Sequence, residues 1–133
     1  MKGMRGKEAI EWERKLQTLC NEIDRRLEQE YADRFALHPA RPPHGTTANP
    51  EMDGLFNVGA SFSAGFGSPF GSGYVLEIRL STLETVPKDL KEEFLERTQT
   101  MLKEGLPAVF PEKKLKVDRE GYRLRIHGDL SLN

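Results

Sequence analysis

The sequence predicts an α+β fold: a two-layer sandwich in which two helices, the first of them long, cover one face of a four-stranded, mostly antiparallel sheet. Three observations predict this fold, and together they give the element order α-β-β-α-β-β. A long segment near the N-terminus has helical periodicity without Gly or Pro. Two later pairs of segments alternate between apolar and polar residues, and a second helical segment separates the pairs. Strands and helices do not alternate one by one, so a doubly wound parallel sheet is not expected.

The first helix is predicted from Lys7 to Leu37, because apolar residues recur there at steps of three and four. They are Trp12, Leu16, Leu19, Ile23, Leu27, Tyr31 and Phe35. His38-Pro39 ends the helix, since the residue before a proline avoids the α region. Such a helix would be about 46 Å long, against about 35 Å for a compact domain of this size. We therefore expect it to bend, to fray or to project toward a partner, with residues 1–6 disordered.

The strands are predicted from period-two alternation. The first runs from Phe56 to Phe66 and the second from Tyr74 to Ser81, and the Gly-rich segment between them indicates an antiparallel hairpin. Leu115–Arg119 and Tyr122–His127 form a second hairpin around Glu120-Gly121. Because Phe66 continues the apolar phase, we expect it to fold back onto the protein.

The second helix is predicted to begin with Pro87 at its first helical position. Its inward stripe consists of Leu90, Phe94, Thr98, Met101 and Leu102. Gly105 and Pro107 should end or kink it.

Composition indicates one domain over residues 1–133, because this length supports one core and hardly two. The net charge is −1, which provides no general attraction to nucleic acid or anionic membranes. The single cysteine, Cys20, excludes an internal disulfide and is predicted to be a buried apolar residue. No signal peptide or membrane span is seen, so a cytoplasmic location is expected.

A long loop, residues 38–54, contains the best candidates for ligand chemistry: His38, Arg41, His44 and Asp53. A loop of this length in a small domain is usually functional or disordered. The two histidines and Asp53 could form a facial metal site, but their spacing matches no tight metal-binding motif. Sequence reasoning therefore predicts neither a metal nor a cofactor.

The uncovered face of the sheet is the second candidate site. Small and cationic residues suited to holding an anion fall on this face. They are Ser61, Ser63, Arg79, Arg123, Arg125 and His127. With the 38–54 loop above them, these residues would form a site for a small anionic ligand.

Motifs for catalysis are lacking. The Gly-rich segment 59–73 matches neither a Walker A motif nor a dinucleotide fingerprint, and no catalytic triad has supporting local sequence. A role without catalysis is therefore favoured.

Three functions remain open. The first is a protein-interaction or assembly module, self-associating as a homodimer, with Trp12 and Phe70 as partner contacts. The second is a small anionic-ligand-binding protein or enzyme that uses the loop and the open sheet face. The third is nucleic-acid binding through the C-terminal hairpin. It is disfavoured because base stacking needs exposed aromatic residues, and here the aromatic residues fall at the strand positions that face the apolar side.

Overall fold

The computed structural model describes residues 7–37, 39–47 and 54–128, and it confirms the α+β fold with the predicted element order. The elements are α1 (Lys7–Tyr31), β1 (Phe56–Ser63), β2 (Gly73–Leu80), α2 (Lys88–Val109), β3 (Leu115–Glu120) and β4 (Arg123–Gly128). The sheet order is β1-β2-β4-β3, and each neighbouring pair is antiparallel. Residues 1–6, predicted to be disordered, lie outside the described residues.

Helix α1 ends earlier than predicted. It stops at Tyr31, and a 3-10 turn, Ala32–Arg34, precedes extended backbone at Phe35. Its 25 residues correspond to about 38 Å, close to the expected width of the domain. The apolar stripe from Trp12 to Tyr31 is buried in the core. From Trp12 to Tyr31 the helix therefore packs on the core and does not need a partner to cover this stripe.

Helix α2 continues through the residues predicted to end it. Pro107 lies inside the helix, which runs to Val109, and Pro87 is the N-cap residue instead of the first helical residue. A proline near a C-terminus removes one backbone donor but leaves the following turn able to bond. The Phe110 N–H donates to the Leu106 carbonyl at 2.7 Å. Packing of Phe110 in the core therefore outweighs the helix-breaking tendency of Pro107.

The prediction that Phe66 folds back onto the protein is wrong. Strand β1 ends at Ser63, and Gly65 has a φ of +90°, a left-handed conformation that glycine adopts without strain. This turn breaks the alternation before Phe66, whose side chain is 96% exposed. A Cβ at Gly65 would lie 2.3 Å from the backbone of Gly71, so the loop closes tightly at this point.

The core contains aromatic groups at both ends of α1. Trp12 is stacked between Tyr74 and Phe110, with ring centroids 4.8 and 4.5 Å away. At the other end, Phe94 makes edge contacts with Tyr31 at 4.8 Å and with Phe56 at 5.2 Å. Such pairs add about 0.5–1.5 kcal/mol to the burial of their area. They join each helix to the sheet.

Polar contacts between the helices lie beside the second aromatic group. Arg97 donates to both carboxylate oxygens of Glu30, at 2.9 and 2.8 Å. The Tyr31 hydroxyl donates to Glu93 at 2.7 Å. Burial, together with this carboxylate, raises the pKa of Tyr31 to about 12. The hydroxyl therefore stays protonated and keeps donating at all ordinary pH values.

We expect Phe94→Ala to lower the free energy of unfolding by about 3–5 kcal/mol, because it leaves a cavity between α2 and the sheet. Urea denaturation followed by circular dichroism would measure the loss.

Leu83→Ala is the matched control. Leu83 is an exposed apolar residue, so its truncation should change the free energy by no more than about 0.5 kcal/mol. Equal effects of the two substitutions would contradict the packing described for Phe94.

Candidate metal centre

Helix α1 buries two carboxylates as well as its apolar stripe. Asp24 is 0% exposed and Glu28 is 6% exposed. They lie one helical turn apart and follow Cys20, which is also buried, so the three share one line along the helix. The buried face of α1 is therefore wider than the apolar periodicity indicates.

Glu28 is held in place by the start of β1. Its Oε2 accepts the backbone N–H of Phe56 at 2.6 Å. Gly54, at φ +78°, allows the chain to approach this closely. A Cβ there would lie 2.6 Å from Oε2 of Glu28 and 3.0 Å from Cβ of His44. Glycine is therefore required at position 54 for two reasons: the backbone angle is left-handed, and there is no room for a side chain.

The described part of the long loop, residues 39–47, packs against this junction. The Gly54 N–H donates to the Pro42 carbonyl at 2.8 Å, and Nε of Arg41 donates to the Gly54 carbonyl at 2.9 Å. These bonds place His44 beside the two buried carboxylates. One ligand atom from each of Asp24, Glu28 and His44 lies within 4.8 Å of the other two.

This arrangement has the chemistry of a divalent-cation site. Two carboxylates removed from water and this close together repel each other and lose solvation. A cation between them, or a shared proton, offsets both costs. Carboxylate oxygen and imidazole nitrogen together suit zinc, manganese or iron. Because His44 is exposed, the site can be reached from solvent.

Sequence reasoning found one of the three residues of this cluster. It selected His44 as a ligand residue and Arg41 beside it, and the structure assigns Arg41 to holding Gly54. His38 and Asp53 lie outside the described residues. Asp24 and Glu28 were missed, because charged residues on a helix usually lie on its solvated face. The available signal was their spacing from Cys20, one and two turns further along the same face.

On the open face of the sheet, part of the predicted anion site is occupied by the protein's own groups. Arg125 is buried, and it donates to Glu120 at 2.9 Å and to the Gly71 carbonyl at 3.1 Å. The Ser68 hydroxyl donates to the other Glu120 oxygen at 2.6 Å. These contacts hold the β1–β2 loop, residues 64–72, against the sheet. Arg125 therefore helps to hold the β1–β2 loop in place.

His127 and Phe70 belong to the same contact. Nε2 of His127 lies 2.6 Å from an Asp118 oxygen, and the Phe70 ring stacks on the imidazole with centroids 5.0 Å apart. Phe70, predicted as a partner contact, is half-buried against its own sheet. Trp12, the other predicted contact, is 5% exposed and belongs to the core, so it does not form a partner surface in this fold.

The remaining predicted ligand residues do not meet the 39–47 loop. Arg79 and Arg123 are exposed, Ser61 is exposed, and Ser63 accepts the Gly65 N–H at 3.2 Å. In the loop segment 39–47, Arg41 and Pro42 bond to Gly54, just before β1, and His44 lies beside the buried carboxylates of α1. The loop and the open sheet face, which were predicted to form one ligand site, therefore lie in different places.

The chain belongs to a family of proteins described as uncharacterised. The family model matches residues 7–128, from the first residue of α1 to the last residue of β4. A protein of Borreliella burgdorferi, also described as uncharacterized, is 36% identical over 118 residues, which cover 89% of this chain and 92% of the relative. No solved structure matches this chain.

Over the described residues, neither helix has an apolar segment long enough to cross a bilayer.

The contact between the β1–β2 loop and the sheet should depend on pH. Hydrogen bonding from Ser68 and Arg125 lowers the pKa of Glu120. The folded pKa lies below the unfolded value, so this stabilisation is present above that value and is lost as the pH falls. Glu120→Gln should therefore lower the melting temperature at pH 7, and the difference from wild type should shrink toward about pH 3.

Glu112→Gln, at an exposed position, is the control and should leave the melting temperature unchanged at both pH values. If Glu120→Gln lowered the melting temperature as much in acid as at neutral pH, the contact would not depend on the charge of Glu120.

Proposed function

We propose that this protein binds a divalent transition-metal ion between Asp24, Glu28 and His44. The observation that supports this most is the burial of two neighbouring carboxylates within 4.8 Å of an imidazole. Among the functions predicted from the sequence, this proposal develops the ligand-binding alternative at the 38–54 loop. The ligand is a cation, however, and the open sheet face is not part of the site.

The three side chains come from a helix and a loop. Asp24 and Glu28 are fixed on a helix that packs in the core, and the Phe56 N–H orients Glu28. His44 is carried by the loop. An ion would therefore bind to a preformed pair of carboxylates and hold the loop down through the imidazole. Three protein ligands leave at least one coordination position for water or another molecule, as in catalytic zinc sites.

Purified without chelator, the wild-type protein should carry one zinc or manganese ion per chain in native mass spectrometry. Added zinc should raise its stability by about 2.7 kcal/mol at a free concentration a hundred times Kd. Binding should weaken in acid, because the imidazole and carboxylates must be deprotonated to coordinate the metal.

Asp24→Asn and His44→Ala should each weaken zinc binding by more than about tenfold, since loss of even an outer partner of a metal ligand costs 10–100-fold. Isothermal titration calorimetry would measure this. The matched controls are Glu11→Gln, an exposed acid on α1, and His127→Ala, a histidine on the sheet face. Wild-type affinity in Asp24→Asn, or absence of any zinc binding by wild type, would refute the proposal.

A second candidate is the predicted self-association, and one observation favours it. Phe62 is 50% exposed and Phe66 is 96% exposed, and both belong to the β1–β2 hairpin. Strand β1 is an edge strand. Exposed aromatic residues beside an open strand edge are typical of a contact surface. In this proposal they replace Trp12 and Phe70 as the partner contacts.

If the protein self-associates through this hairpin, Phe62→Ser and Phe66→Ser together should convert a dimer to a monomer. Light scattering after size-exclusion chromatography would show the change in mass. Leu83→Ser, which removes an exposed apolar residue at a different position, should leave the dimer intact. A wild-type protein that is monomeric at high concentration would exclude this candidate.

For nucleic-acid binding, the C-terminal hairpin offers one exposed aromatic ring, Tyr122. It lies beneath the guanidinium of Arg119, with 5.8 Å between the guanidinium carbon and the ring centroid. This pairing leaves the ring less free to stack on a base, so the alternative stays the least supported of the three.

A further inference from the structure

A cavity of about 590 Å³ lies between the end of β2 and the first half of α2. Its size is within the range of small-molecule sites, about 300–1,000 Å³. Its inner surface is mainly apolar and includes Ile78, Leu80, Val86, Phe94 and Leu95. None of the residues of the candidate metal centre lines it.

The cavity exists because β2 and β4 overlap only in part. β2 pairs with β4 over Tyr74–Leu76, but it continues to Leu80, whereas β4 begins at Arg123. The end of β2 therefore extends past the strand beside it and leaves a gap in the sheet above α2. Tyr122, in the turn before β4, forms the opposite wall and is 51% exposed.

Two of the three charged residues that line the cavity are cations. Arg79 and Lys91 both line the cavity. Arg79 lies 3.7 Å from Glu77 in a largely exposed pair, which contributes little and can exchange partners. The lining carboxylate, Glu84, accepts the backbone N–H of Ala36. The mouth thus has two cations against one carboxylate that is already hydrogen-bonded.

We propose that this cavity binds a small amphipathic anion: a molecule with an apolar body and one carboxylate or similar head group. The apolar body lies over Ile78, Leu80 and Val86, which are only partly buried, and displaces water from them, which stabilises the complex by about 25 cal/mol per Å² of apolar area buried. The head group lies at the mouth, where Lys91 and Arg79 donate charge-assisted hydrogen bonds. An apolar molecule alone would make no use of these cations, and a small anion alone would leave the apolar surface in water.

Calorimetric titration with three probes tests both features. Decanoate has the apolar chain and the carboxylate, decyltrimethylammonium has the same chain with the opposite charge, and acetate has the carboxylate alone. Decanoate should bind with one molecule per chain. The other two should bind at least about tenfold more weakly, which corresponds to the loss of one charge-assisted contact or of the apolar contact.

Two substitutions locate the binding. Lys91→Ala should weaken decanoate binding by about tenfold and should not weaken decyltrimethylammonium binding, because it removes a like charge from the mouth. Thr85→Trp places a large ring at the rim from an exposed position and should abolish decanoate binding without unfolding the protein, as circular dichroism would verify. Lys103→Ala, a lysine in the second half of α2, is the matched control and should bind decanoate normally.

Equal affinity for decanoate and decyltrimethylammonium would overturn the proposal, because it would indicate unspecific apolar binding. Full decanoate binding by a folded Thr85→Trp variant would also overturn it, since the ligand would then lie elsewhere. Both results are independent of zinc binding, so this proposal and that of a metal centre can fail separately.

Discussion

The hydrogen bond from the Phe56 N–H to the buried Glu28 carboxylate is the interaction on which the arrangement of this protein depends. It joins α1 to the first strand across the long loop, at a distance of 2.6 Å, and it acts where the strand begins. A charge-assisted bond to a backbone donor is roughly twice as strong as a neutral one. It also fixes the position of Gly54, from which the loop contacts of Pro42 and Arg41 follow.

Glu28 is one of two carboxylates that α1 buries at this place. Asp24 is buried next to it, one turn earlier on the same helix. Placing two acids in the interior costs stability unless a cation or a proton balances them, and ordinary packing would be better served by two apolar residues. Our proposal of a metal centre rests on this pair. In that proposal, His44, on the loop that the same bond anchors, is the third ligand.

The secondary structure was predictable because most of it is determined by local periodicity. The errors occur where tertiary contacts outweigh local preference. Phe110 packs on Trp12 and allows α2 to pass Pro107, and the left-handed Gly65 ends the alternation before Phe66. The strand order β1-β2-β4-β3 depends on pairing between distant segments, which one sequence does not reveal.

The candidate site was predictable only in its loop half. A histidine in a long Pro-rich loop is conspicuous in sequence, so His44 was selected. Asp24 and Glu28 were not, because burial of a helical carboxylate depends on what covers it, and here the cover is a loop and a strand distant in sequence. Similarly, Arg125 appeared free on an open face. The path of residues 64–72, which covers that face, was not encoded in the strand pattern.

The most direct test is anomalous X-ray diffraction at the zinc edge from crystals grown with zinc. A single strong peak is expected between the side chains of Asp24, Glu28 and His44, about 2.0–2.2 Å from an oxygen of each carboxylate and from one imidazole nitrogen. Zinc bound at another position would refute the metal centre. Absence of a peak, with the two carboxylates in direct contact, would also refute it and would indicate that the pair shares a proton.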